Sequence, residues 1–162
     1  MQPEQAAFLL SVLVPQIKSE HKTTLKVLEA VPADRCTYQP DPRSMNAIDL
    51  AFHIAGSECF FMEGAVKGEL PPYGKRPDDL KTPADAVGWY RANFEKWVEQ
   101  VEQLTPAQLL HEIPFHSMTY PALKYLEIML VHSVHHRGQL SAYLRPMGAK
   151  VPAIYGSSAD TE

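Results

Sequence analysis

Cysteine is almost missing from this chain of 162 residues: only Cys36 and Cys59 occur, far apart and with no CxxC pair. A chain of this length builds a core without staples, and thiols used so sparingly fit a reducing cytoplasm. Glycine is scarce too, and no glycine-rich loop is present, which excludes the phosphate cradles of nucleotide-binding motifs. No apolar run reaches the roughly 18 residues of a membrane span. Nor is a secretory signal expected, because Glu4 and no Lys or Arg precedes the first short apolar run. Basic charge is also short: the net charge is −4, and the one basic row, Lys18, Lys22 and Lys26, is interrupted by Glu20 and Glu29. A nucleic-acid or membrane-surface partner would want a clustered basic face. Neither partner is expected.

The composition that remains is ordinarily globular, 45% hydrophobic and 21% charged. The length suits one domain, read as residues 1–156 with a frayed tail at 157–162. Proline punctuates the chain into helical segments. From about Pro3 to Val31, apolar residues such as Leu10, Val14, Ile17 and Leu28 recur at three and four, with Pro15 predicting a kink or break. Pro32, Pro40 and Pro42 force an extended return, after which Ser44 or Asn46 caps a second helix reaching about Lys67. The Pro- and Gly-rich stretch 68–82 is long enough for a crossover. Thr82-Pro83-Ala84-Asp85 then starts a third helix, to about Leu104. Thr105 to Gln108 repeats the start for a turn or two, and an irregular segment runs through Pro114 and Thr119. The last helix spans about Tyr120 to Arg145, stopped by Pro146 and Gly148. With no convincing strand, the fold class is all-α, a four-helix bundle.

Histidine carries the chemistry. His132 and His136 stand four apart on the last helix, on one face and one turn from each other. The Glu of the zinc-protease signature is replaced by Ser133, so that reading fails. His53 points inward from the second helix, which is costly unless its nitrogens are taken up. If those two helices are neighbours, three imidazoles converge, and a divalent metal is the cheapest account of them. Three neutral imidazoles leave a coordination position open, as catalytic sites do. All-nitrogen ligation suits zinc or nickel, with iron, cobalt or copper as alternatives. His21, Ser57, Met129, Gln139 and Tyr143 are expected to line the pocket, although His21 also reads as a core histidine. His111 and His116 read as surface residues, and His135 faces a neighbouring helix or solvent. Arg137 and Gln139 either make polar contacts at the bundle's end or bind an anionic group.

The run from His132 through Val-His-His-Arg-Gly-Gln to Arg145, with Gly148 and Val151-Pro-Ala-Ile-Tyr-Gly156, closely resembles the C-terminal signature of the DinB family. Leu50-Ala-Phe-His-Ile-Ala-Gly-Ser-Glu58 resembles that family's other motif. The resemblance covers essentially the whole chain. It implies an up-down-down-up bundle, frequently a homodimer, with a metal held by His53, His132 and His136. It also implies S-transfer from low-molecular-weight thiols such as bacillithiol or mycothiol, an isomerase being among the relatives. The expected function is therefore a metal-dependent enzyme that activates such a thiol for transfer to a small-molecule electrophile. The alternatives are a metal-dependent hydrolase, a metal- or ligand-binding bundle without turnover, and a structural dimerisation module.

Overall fold

The computed structural model describes residues 1–161. Its order is α1 (Pro3–Glu29), a 3₁₀ turn (Ala33–Arg35), α2 (Ala47–Lys67), α3 (Pro83–Val101), α4 (Pro106–Leu110), β1 (Glu112–Phe115), β2 (Met118–Pro121) and α5 (Ala122–Leu144). The long helices start where the caps predict. Asn46 accepts the amide of Asp49 to begin α2, and Thr82 forms a capping box with Asp85 to begin α3. Gly68, at φ 75°, ends α2 in the left-handed conformation that glycine tolerates best. Among the described residues, no helix is long and apolar enough to cross a membrane.

Side-chain pairs set the helix directions. Lys18 meets Glu102, just beyond the end of α3, and Glu29 meets Arg91, so α1 and α3 run antiparallel. Phe52 packs on Trp89 and Lys67 lies over Trp97, so α2 and α3 run parallel. His53 faces His136 and Phe61 faces Tyr125, so α2 and α5 are antiparallel. Up-down-down-up follows, and residues 68–82 supply the crossover that parallel neighbours require. Apolar stripes of all four long helices meet in one core, which includes Ile17, Leu28, Leu50, Ile54, Phe94 and Leu126.

Three expectations are corrected. No break forms at Pro15, and α1 continues through it: one lost amide bond is outweighed by Leu10, Val14 and Ile17 staying buried on the same core. The segment read as irregular is a hairpin, with Ile113 opposite Tyr120 and Phe115 opposite Met118. Its turn places His116 at φ 53°, and its two strands are both edges, where Pro114 is tolerated. α5 accordingly begins at Ala122 rather than Tyr120. Near the tail, Ser158 Oγ donates to the Val151 carbonyl (2.6 Å) and Asp160 accepts the Val151 amide (2.9 Å); residue 162, part of the stretch expected to fray, lies outside the described residues.

Candidate metal centre

α2 and α5 each carry their histidines on the flank where the two helices meet. The ring centroids of His53 lie 4.9 Å from His132 and 4.5 Å from His136, and those of His132 and His136 are 4.4 Å apart. One nitrogen from each ring lies within 4.8 Å of the other two, and no carboxylate or thiol joins this group among the described residues. The Nε2 atoms of His53 and His132 are 3.2 Å apart. Two ligands about a tetrahedral ion with bonds of roughly 2.0–2.1 Å are separated by about 3.3 Å. In the absence of a cation, a shared proton spans the same gap.

The far nitrogens of two of the rings are held. His136 Nδ1 lies 3.0 Å from Gln139 Oε1, and Gln139 Nε2 donates to Tyr143 Oη at 3.1 Å. His53 Nδ1 lies 2.8 Å from Tyr73 Oη, which is 3.0 Å from Ser57 Oγ. With protons on Nδ1, Gln139 and Tyr73 accept, leaving both Nε2 lone pairs for a metal. Burial lowers the pKa of His53 to about 4, with the neighbouring His136 adding to the shift. His132 is lowered likewise to about 4 by burial and then by its three histidine neighbours. Both rings are therefore neutral at pH 7, the form that ligates. Donor set, spacing and outer hydrogen bonds all fit a divalent cation.

Ser57 reaches the centre through Tyr73, Gln139 bonds His136 directly and Tyr143 bonds Gln139; other residues named for its surroundings lie elsewhere. Met129 is buried in the apolar core. His21 belongs to the other side of the bundle: its ring stacks on Phe94 at 3.5 Å and meets Tyr90 edge-on. Burial, with Arg91 nearby, keeps it neutral by lowering its pKa to about 4. Arg137 is not free to bind an anion, because its buried guanidinium pairs with Glu20 at 2.6 Å and also donates to Thr24 and Tyr155. His135 is exposed, as are His111 and His116.

Tyr73 was not foreseen, since nothing periodic marks one tyrosine in a proline-rich crossover. Beside it, Met45, Asp49, Phe52, His53 and Arg76 line a recess of about 590 Å³. Glu58 was also missed as a partner. It is fully buried behind the triad, accepting from Ser133 and Tyr90, and burial raises its pKa to about 7.

The DinB family pattern matches residues 4–161. The chain belongs to the DinB family. This DinB protein is 30% identical over 141 residues to YjoA of Bacillus subtilis (strain 168), covering 84% of the chain and 89% of YjoA. The crystal structure of YjoA, a DinB-like protein, superposes with a TM-score of 0.74 at 27% identity, over 90% of this chain and 99% of that one. YfiT from Bacillus subtilis, described as a probable metal-dependent hydrolase with an unusual four-helix bundle topology, gives 0.67 at 16% identity, over 93% and 91%. A mycothiol-dependent maleylpyruvate isomerase gives 0.53 at 14% identity, over 94% of this chain and 65% of that one. The last two likenesses concern the fold alone.

Proposed function

We propose that this DinB protein is a metal-dependent enzyme that transfers a low-molecular-weight thiol to a small electrophile, with zinc or nickel held by His53, His132 and His136. The observation that carries this reading is the absence of a carboxylate from the ligand group among the described residues. Water-activating zinc sites of the helical His pair type place a Glu as general base beside the ligands. Here Ser133 stands in that position and its hydroxyl is turned inward to Glu58. A thiol needs less help, since its ordinary pKa is about 8.5.

A divalent cation held by His53, His132 and His136 would supply the remaining fall in that pKa, favouring the thiolate at neutral pH. The chain's own residues bind and orient. Tyr73 and Gln139 keep His53 and His136 in the ligating tautomer, and Phe52, Tyr73 and Met45 wall the recess in which an electrophile would lie. In the transfer, a carbon–sulfur bond forms and the leaving group departs with the electron pair of the bond it loses. Neither cysteine of the chain serves as nucleophile: Cys59 is buried, which pushes its thiol well up from the ordinary range, and neither it nor Cys36 belongs to the ligand group. The sulfur comes from a cosubstrate.

Conjugation of a thiol to an electrophile should require loaded metal, stop on chelation and return on adding zinc or nickel. Protein that takes up no stoichiometric metal by elemental analysis would overturn the reading. Hydrolysis is the second reading, favoured by the description of YfiT; it predicts turnover with no thiol present. We also propose a homodimer formed through α1 and α5, supported by exposed Phe8, Val12 and Val131 on those two helices.

A further inference from the structure

Both tryptophans of the chain, Trp89 and Trp97, line one recess that the metal reading leaves unused. It lies under the crossover between the parallel helices α2 and α3. Its volume is about 260 Å³, and Phe52, Phe60 and Tyr73 complete its aromatic walls. An apolar cavity of roughly 150 Å³ already accepts benzene. This recess is larger, and it is open where Tyr73, Gly74 and Lys75 are exposed.

The walls are rich in aromatic rings. Phe52 and Trp89 meet at 5.1 Å with their planes tilted by 57°, and Phe60 meets Tyr73 edge-on at 5.2 Å. Rings in these orientations offer both faces and edges to a further ring. Gly56 contributes a wall with no side chain: a methyl group there would come within 3.3 Å of the Phe52 ring. Glu63 and Asn93 supply polar atoms among the apolar lining.

The recess adjoins the triad. Phe52, Tyr73, Gly74 and Lys75 also line the 590 Å³ recess that contains His53. Tyr73 is the partition: its hydroxyl is hydrogen-bonded to His53 and Ser57, while its ring packs against Phe60.

We propose that the recess under the crossover is a binding subsite for an aromatic group of the electrophilic substrate, seated among Phe52, Phe60, Tyr73, Trp89 and Trp97. The assignment of the guest to the substrate rests on the function proposed above, whereas the binding of an aromatic ring does not.

The test uses the full chain, labelled with ¹⁵N and titrated both with zinc and after chelation. The probe is benzyl alcohol, with cyclohexylmethanol as its non-planar counterpart, and the readout is the two indole N–H resonances. Both should shift saturably with benzyl alcohol, and roughly 2- to 10-fold more tightly than with the saturated alcohol, the range that aromatic pairing adds beyond area. Gly56→Leu should abolish the shifts. If that variant does not fold, Trp89→Leu should weaken binding while Trp97 still reports. No saturable shift, equal affinity for the two alcohols, or unchanged binding in the variant that folds would overturn the subsite. A protein that binds benzyl alcohol yet takes up no metal would keep the subsite and sink the enzyme.

Discussion

Single residues show how α2 and α5 separate two kinds of chemistry. Glu58 follows His53 by five positions, a turn of about 140° at 100° per residue, and Ser133 is about 100° from His132. One flank of the helix pair therefore presents imidazoles while the inner flank buries a carboxyl. Burial raises the pKa of Glu58 from 4.5 to about 7, so the folded protein binds its proton more tightly than the unfolded chain does. That contribution to stability is complete below pH 4.5 and disappears as pH rises through about 7. Glu58→Gln should flatten the pH dependence of stability in this window, measured by urea unfolding of metal-free protein. At the other flank, His53→Ala, His132→Ala and His136→Ala should each lose stoichiometric metal in elemental analysis. Tyr73→Phe and Gln139→Leu should keep the fold and weaken metal affinity by roughly 10- to 100-fold in competition with a chelator. The triad was legible because helical phase puts His132 and His136 on one face and the family resemblance adds His53, although all three sit half-buried on a flank rather than inside the core. Tyr73 was not, because an aperiodic crossover gives no phase to read.

Elements were legible in proportion to their length. Four long amphipathic helices repeat their apolar positions often enough to establish both type and inner face, and Asn46 and Thr82 announced two of their starts. The hairpin escaped for physical reasons. Its strands have only four residues each, both contain proline, and its turn lacks the Asn-Gly or Asp-Gly pair that normally supplies positive φ. At Pro15 the break allowed by the sequence does not form, since local propensity yields to tertiary burial. The cap of α2 offers a clean test, because it lies one helical stretch ahead of His53. Asn46→Ala should cost about 1 kcal/mol in urea unfolding while leaving the metal content unchanged.

At the scale of the whole molecule, the crossover does two jobs. It allows α2 and α3 to run in parallel, and its Tyr73 reaches back to the triad. Topology was legible only through family resemblance, because phase tells which face a helix buries but not which neighbour covers it. The surface carries its own prediction. Phe8 and Val12 on α1 and Val131 on α5 are more than half exposed, at 67%, 52% and 66%. Val12→Glu should shift the protein from dimer to monomer in sedimentation velocity without loss of helicity by circular dichroism; a wild-type monomer would exclude the pairing.

Arg137 is gripped by segments far apart in sequence, by Glu20 and Thr24 of α1 and by Tyr155 beyond α5. On the ribosome, the first helix is made long before α3 and α5, against which it packs. Its apolar stripe must therefore travel uncovered until α3 has emerged, and the tyrosine that closes over the ion pair follows only after α5. A nascent chain with that schedule is a natural client for chaperones that hold exposed helices, and slow codons placed between residues 67 and 122 would lengthen the wait.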